Sequence, residues 1–117
     1  MSPARSRVRL PRPVVRRAGA DDIPAMLRIE QRSNPVPWSR QLFAKELERR
    51  EGATIVATDG DEVVGFLACA GQGDSWHILN VTVDPDHRRR GLGGMLVDGI
   101  ISLLDGRPYD RYTLEAV

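Results

Sequence analysis

A strand-like run followed by arginines and glycines is the part of this sequence with the clearest chemical potential. Residues 78–83 are apolar and rich in β-branched side chains, which predicts a strand. Asp84-Pro85 ends that strand because proline has no N–H to donate to a sheet. Leucine and isoleucine recur at helical spacing from Leu92 onwards. The turn between strand and helix contains Arg88, Arg89, Arg90, Gly91, Gly93 and Gly94.

The chemistry of this turn suits a phosphate group. The first N–H groups of a helix have no partner inside the helix, and they lie at the positive end of its dipole. Glycine lets an anion approach the backbone without meeting a Cβ atom, and arginine donates charge-assisted hydrogen bonds. A pyrophosphate would suit such a turn. Many helices begin with glycine and bind no ligand, so the turn by itself leaves both interpretations open.

The other patterns in the chain predict the elements that must position this turn. Ile23, Met26 and Leu27 form the core stripe of a first helix, with Glu30 near the edge of that stripe. Residues 71–74 predict a flexible connection. A strand, helix and strand in succession predict a right-handed crossover, so the last strand should run parallel to the strand at 78–83. In chain order the predicted elements are a strand at 14–18, a helix opening at 19–22, a helix capped by Ser39, a hairpin of strands at 53–58 and 62–70 around Asp59-Gly60, the strand at 78–83, a helix at 92–104 and a strand at 109–117.

Composition limits the chain to one domain with an uneven charge. It has 117 residues and a net charge of +1. Residues 1–17 hold six arginines and no acid, whereas the rest of the chain has 11 basic and 16 acidic side chains. We expect residues 1–13 to be a disordered basic arm that touches RNA or the ribosome by charge alone, or a leader without function. No apolar run reaches membrane-spanning length, and the N-terminus lacks the apolar region of a signal peptide.

A single cysteine bears on the cellular compartment. Cys69 is the only cysteine, so no disulfide can form within the chain. This favours a reducing, cytoplasmic environment. Cys69 lies in an apolar run and is expected to be a small buried side chain with no chemical role.

Two common phosphate-binding motifs do not match the glycine-rich turn. No Gly-Lys-Ser/Thr follows the glycines, which excludes a Walker loop, and Leu96 stands where the dinucleotide fingerprint needs its third glycine. By contrast, Arg88-x-x-Gly91-x-Gly93 after Val81-Thr82-Val83-Asp84-Pro85 resembles the acetyl-CoA motif of the GNAT N-acetyltransferases. The longer string from Leu79 to Gly93 most resembles the RimI-type protein N-terminal acetyltransferases of that family.

The resemblance implies an α/β fold with a mixed sheet, the GNAT acyl-CoA N-acyltransferase fold, over residues 14–117. It also implies acetyl-CoA as co-substrate and no metal. In the family, a bulge in the strand before the turn frees a backbone N–H that polarises the thioester, and the strand backbone pairs with the pantetheine arm. By position, the residues implied to bind the cofactor are Val81, Thr82, Val83, Arg88, Arg89, Arg90, Gly91, Leu92, Gly93 and Gly94.

The resemblance also implies roles on the acceptor side. Glu115, in Thr-Leu-Glu, matches the glutamate that RimI-type enzymes use as proton acceptor, although a surface acid on an edge strand is the alternative. Trp38, in Pro-Trp-Ser, matches a segment that lines the substrate side, although plain packing would also explain it. RimI-type enzymes acetylate the N-terminus of a small-subunit ribosomal protein, so the implied partner is a protein N-terminus. Neither a membrane nor sequence-specific nucleic acid is implied.

The sequence departs from the family after Glu115. RimI-type domains continue there with a basic residue and Ser-Asn, then a helix carrying Leu-Tyr, then further strands. The tyrosine that serves as general acid has no counterpart in the 117 residues. We therefore expect a domain that lacks its final helix and strands, with low or no turnover.

Two other functions remain open on the sequence alone. One is a GNAT enzyme that acetylates a small-molecule amine, which a panel of peptides, polyamines and aminoglycosides would separate from a protein acetyltransferase. The other is a non-catalytic CoA-binding fragment that contacts RNA or the ribosome through its basic arm. Steep salt dependence of RNA binding would favour this last function.

Overall fold

The computed structural model describes residues 13–114, which form a five-stranded sheet with helices on both faces. The strands lie in the order β1-β2-β3-β4-β5, antiparallel except for β4 and β5, which run parallel. This confirms the predicted fold class and the predicted parallel last strand. The elements are β1 Pro13–Arg17, α1 Ile23–Ser33, α2 Arg40–Leu47, β2 Gly52–Asp59, β3 Glu62–Gln72, β4 Ser75–Val83, α3 Leu92–Leu104 and β5 Tyr112–Leu114.

Local sequence signals explain most of the element boundaries. Ser39 caps α2, because its hydroxyl oxygen accepts a hydrogen bond of 3.1 Å from the Leu42 N–H. Gly60 joins β2 to β3 at φ +65°, a conformation that glycine adopts without steric cost. The expected flexible connection at 71–74 is wrong, because β3 continues to Gln72 and β4 begins at Ser75. Only Gly73, at φ +64°, and Asp74 separate the two strands.

One face of the sheet packs against α3. The apolar stripe of α3 and the inward side chains of β2 and β3 form a single buried cluster. Cys69 belongs to it and is 1% exposed, as expected from its apolar neighbours, and burial raises the pKa of its thiol to about 11. The α3 residues of the cluster are Leu92, Leu96, Ile100 and Leu104.

The opposite face packs against α1 and α2. Met26 and Ile29 of α1 and Phe43 of α2 cover Val56 and Phe66 of the sheet. Side chains of β2 alternate between the two faces, because successive residues of a strand point in opposite directions.

Glu30 differs from the sequence-based expectation. It was expected near the edge of the apolar stripe of α1, but its side chain is fully buried. The chain after α1 folds back and covers this position, because the Trp38 N–H donates a hydrogen bond to the Glu30 carboxylate. Helical periodicity within α1 cannot show that a later segment of the chain covers Glu30.

The described part of β5 is shorter than predicted. It covers Tyr112–Leu114, where residues 109–117 were expected to form the strand, and it pairs with residues 76–78 of β4. The predicted basic arm, apart from Pro13 in β1, falls outside the described residues. Within the described range, no helix combines the length and apolarity needed to cross a bilayer.

Candidate functional site

Strand β4 combines a bulge with an edge that is open over part of its length. Ala68 of β3 pairs with Asn80, whereas Cys69 pairs with Ile78, so Leu79 is the extra residue of a β-bulge. Residues two apart in a regular strand point to the same face of the sheet, but the bulge places Ile78 and Asn80 on opposite faces. Ile78 packs in the cluster beneath α3, while Asn80 contacts α1. The family resemblance carried the bulge over to Val81–Val83, and the structure corrects this to Leu79.

The outer edge of β4 beyond the bulge has backbone groups available for a ligand. β5 pairs only with residues 76–78, and no other strand in the described range pairs with the outer side of residues 79–83. A sheet edge of this kind presents N–H and C=O groups that an extended molecule can pair with. Val81, Thr82 and Val83 lie on this open edge, and their implied contacts to a pantetheine arm stay a prediction.

The turn after β4 is fixed by an arginine from α1. Asp84 is buried, and its carboxylate accepts hydrogen bonds from Arg32 Nη1 at 2.8 Å and from the Asp86 N–H at 3.0 Å. Arg32 Nη2 also lies 3.2 Å from Asp86 Oδ2. Charge-assisted contacts of this kind hold a turn in one geometry. Arg32 thus joins α1 to the segment that leads into the glycine-rich turn.

The three arginines of the turn have different surroundings. Arg88 donates from Nε to the Val83 carbonyl at 3.2 Å. Arg89 adopts φ +66°, a backbone region that is uncommon for a residue with a Cβ atom. Arg90 forms an ion pair of 2.8 Å with Asp59 on the β2–β3 hairpin. Only Arg88 lines the groove described below.

The glycines leave open space at the start of α3. Gly91 adopts φ +75°, and the first hydrogen bond of α3 runs from Met95 N to the Gly91 carbonyl at 3.1 Å. The N–H groups of Leu92, Gly93 and Gly94 precede that bond and are the unpartnered donors expected of a helix start. A Cβ atom built on Gly93 or Gly94 would meet no atom within 4 Å. Packing within the protein therefore gives no reason for glycine at these two positions, whereas an anion close to the backbone would.

These features open onto one groove of about 560 Å³. It runs between the end of α1, the open part of β4 and the glycine-rich turn. A long ligand with a phosphate at one end could lie along it. Its lining residues are Ser33, Asn34, Pro35, Asn80, Val81, Thr82, Val83, Arg88 and Gly93.

Glu30 anchors the wall of the groove opposite the turn. Its Oε2 accepts hydrogen bonds from Asn34 Nδ2 at 3.2 Å, from the Trp38 N–H at 3.0 Å and from Asn80 Nδ2 at 3.1 Å. Asn80 in turn accepts from the Thr82 hydroxyl at 2.8 Å. This network orients Asn34, Asn80 and Thr82, which all line the groove.

Trp38 contributes to this wall through its backbone rather than its ring. The indole packs on Phe43 with ring centroids 5.4 Å apart, and it is not among the side chains that line the groove. The loop that carries Trp38 nevertheless reaches the groove through Asn34 and Pro35. A substrate-side role for Trp38 stays a prediction, and the structure favours the neighbouring Asn34 for direct contact.

Glu115, the predicted proton acceptor, lies outside the described residues. Its assignment rests on the sequence resemblance alone. Sequence reasoning missed the roles of Arg32, Asn34 and Asn80. Asn80 had a recognisable signal, because an amide within an apolar strand needs a hydrogen-bonding partner.

Three potential metal ligands also lie near the turn. Glu62, Asp84 and His87 each bring one ligand atom within 4.8 Å of the others. Asp84 is already engaged by Arg32 and by the Asp86 N–H, so its contacts are explained by the geometry of the turn.

Comparison with known proteins identifies similar chains. The family model of the acetyltransferase (GNAT) family matches residues 23–117. The chain is 36% identical over 86 residues to the [ribosomal protein bS18]-alanine N-acetyltransferase of Salmonella typhimurium, an alignment that covers 74% of this chain and 57% of that protein. The crystal structure of the ribosomal-protein-S18-alanine N-acetyltransferase from Escherichia coli superimposes with a TM-score of 0.72 at 29% identity, covering 80% of this chain and 59% of that one.

A third similar structure contains coenzyme A. The PaiA N-acetyltransferase from Thermoplasma acidophilum, solved in complex with coenzyme A, gives a TM-score of 0.71 at 11% identity and covers 80% of this chain and 72% of that one. At that identity the likeness concerns the fold alone. The chain spans less than two thirds of the length of its curated Salmonella relative.

Proposed function

This chain belongs to the GNAT acetyltransferase family, and we propose that it transfers an acetyl group from acetyl-CoA to the N-terminal α-amine of a protein. One observation carries the proposal: the open edge of β4 at residues 79–83 continues into a helix start whose glycines leave empty space. The two features share one groove. An extended pantetheine arm ending in a pyrophosphate matches that combination.

Each part of the groove has a task in the proposed reaction. Arg88 and the N–H groups of Leu92, Gly93 and Gly94 bind the pyrophosphate. The backbone of residues 81–83 orients the thioester arm, and a backbone N–H freed at the Leu79 bulge polarises the thioester carbonyl. The amine attacks the carbonyl carbon, a C–N bond forms, and the C–S bond breaks with CoA thiolate as leaving group. We assign the amine proton to Glu115, as the family resemblance implies.

The proposed acceptor rests on two relatives whose alignments cover 74% and 80% of this chain. Those from Salmonella typhimurium and Escherichia coli are named for acetylating an alanine of ribosomal protein bS18. We propose the same class of acceptor here, a ribosomal protein with an N-terminal alanine, and a cytoplasmic location. The buried Cys69 thiol is compatible with a reducing compartment.

Binding of acetyl-CoA tests the cofactor site. Gly93→Glu places a carboxylate in open space at the first turn of α3, where it suits the helix dipole but repels a phosphate. We expect at least an approximately ten-fold loss of affinity, or about 1.4 kcal/mol, by isothermal titration calorimetry, with an unchanged melting temperature.

Gly19→Glu is the matched control. Gly19 also has no atom within 4 Å of a built Cβ, and it lies outside the groove. This variant should bind acetyl-CoA like the unchanged chain. Equal binding by Gly93→Glu and the unchanged chain, or an equal loss in both variants, would rule out the phosphate site as assigned.

A further inference from the structure

Glu30 differs from every other buried acid in the described part of the chain, because it has no cationic partner. Burying a carboxylate without a positive partner is costly. No lysine, arginine or histidine of residues 13–114 forms an ion pair with Glu30. The other buried acids each have an arginine partner, in the pairs Asp22–Arg16, Glu46–Arg49 and Asp84–Arg32.

The carboxylate of Glu30 is also only half satisfied by hydrogen bonds. Oε2 accepts all three of the bonds that reach this side chain, whereas Oε1 is buried and accepts none. A buried polar atom without a partner is rare in folded proteins and needs an explanation. A positively charged ligand in the groove would not bond to Oε1, but it would offset part of the electrostatic cost of burying the carboxylate.

The position of Glu30 relates this charge to the groove. Two of its three donors, Asn34 and Asn80, are themselves lining residues, and the fully buried Glu30 lies behind them. The charge is therefore separated from a ligand in the groove by a single layer of side chains. Because Glu30 is buried, water and salt screen its field less than they would screen a surface charge.

We infer that Glu30 makes the groove selective for an acceptor that carries a positively charged amine. The inference rests on the proposed function, since it concerns the acceptor side of the same groove. Glu30 is a positioning residue: it acts through Asn34 and Asn80, which it orients, and through its charge. An ammonium group in the groove is favoured by that charge, whereas a neutral group of the same shape is not.

The experiment compares two peptides that differ only in the amine. The chain is saturated with CoA, which cannot transfer an acetyl group, and titrated with an alanine-initiated decapeptide or with its desamino analogue. We expect the amine peptide to bind at least about ten-fold more tightly, because a single charge at an effective dielectric constant of about 20 has that effect even from roughly 12 Å. Glu30→Gln keeps the shape of the side chain and should abolish most of this preference.

Two further variants test whether the preference depends on the charge of Glu30. Glu46→Gln removes another buried helical carboxylate, one paired with Arg49 and outside the groove, and should keep the preference. Asn34→Lys leaves Glu30 in place and supplies the missing cation at i+4, so it should also reduce the preference. Asn34→Lys therefore tests the role of the Glu30 charge even if Glu30→Gln does not fold.

The outcomes separate the inference from the proposed function. Equal affinity of the unchanged chain for both peptides, or a preference that survives both Glu30→Gln and Asn34→Lys, would overturn the role of Glu30. A loss of affinity for both peptides alike in Glu30→Gln would show a purely structural role and overturn it as well. A chain that binds CoA but neither peptide would refute the acceptor site and leave the cofactor site standing. Failure to bind CoA would refute the proposed function itself.

Discussion

The two faces of the sheet are built on different principles. The face beneath α3 is filled by apolar side chains such as Leu96 and Ile100. The face beneath α1 and α2 has an apolar cluster too, but every buried acid of the described residues lies on this side or contacts α1. Apolar burial is non-directional and mainly adds stability, whereas buried hydrogen bonds and ion pairs fix particular geometries.

This difference indicates which side of the sheet fixes the geometry of the candidate groove. The groove is walled on the α1 side by Asn34 and Asn80, whose orientation depends on Glu30, and its turn is held by Arg32. The α3 side contributes mainly the glycine-rich start of its helix. We therefore expect substitutions beneath α3 to change stability most, and substitutions around α1 to change specificity out of proportion to stability.

Truncating the core beneath α3 should have the largest effect on stability. Leu96 is fully buried, so Leu96→Ala removes apolar contacts and leaves a cavity. We expect the free energy of unfolding to fall by about 2–5 kcal/mol in urea denaturation. A loss below about 1 kcal/mol would mean that this face does not dominate stability. Exposed Ile101→Ala on the same helix is the control.

Removing Glu30 should cost more stability than removing Glu46, although both are buried helical glutamates. Glu30→Ala leaves three donors without an acceptor, and we expect a loss of about 1–3 kcal/mol. Glu46→Ala frees only the partly exposed Arg49, which can turn to water, so about 1 kcal/mol or less is expected. Thermal and urea melts of the two variants give the order, and the reverse order would break the proposed contrast between the sites.

The smallest effect is expected at the start of α1. The hydrogen bonds of Arg16 lower the pKa of Asp22 below its ordinary value, despite burial. Because the folded pKa lies below the unfolded one, this pair contributes stability above about pH 4 that is lost as the pH falls further. Arg16 is half exposed, so Asp22→Asn should cost only about 0.5–1 kcal/mol at pH 7.

The pH dependence separates this effect from general acid denaturation. Asp22→Asn should show a shallower decline of stability below about pH 4 than the unchanged chain. Asp61→Asn, at an exposed turn position, should keep the original decline. An unchanged decline in Asp22→Asn would contradict the assigned linkage.

Local signals were enough to predict most of the fold. The Asp-Gly hairpin, the Ser39 cap and the strand–turn–helix order were all predicted correctly, because each depends on residues close together in the chain. The parallel last strand was predicted as well, since the handedness of crossovers leaves few alternatives. The glycine-rich turn was recognised from its spacing, and family membership agrees with that interpretation.

The sequence by itself therefore determined the order of the elements, the family and the position of the glycine-rich turn. Only the tertiary structure decided that Leu79 forms the bulge, that Glu30 is buried without a cationic partner in the described residues and that Arg90 forms an ion pair with Asp59. Each of these depends on partners far away in the chain: a neighbouring strand, a loop that folds back, or a hairpin. Periodicity shows which residues share a face of one element, but which of them are covered, and by what, is settled only when the elements pack together.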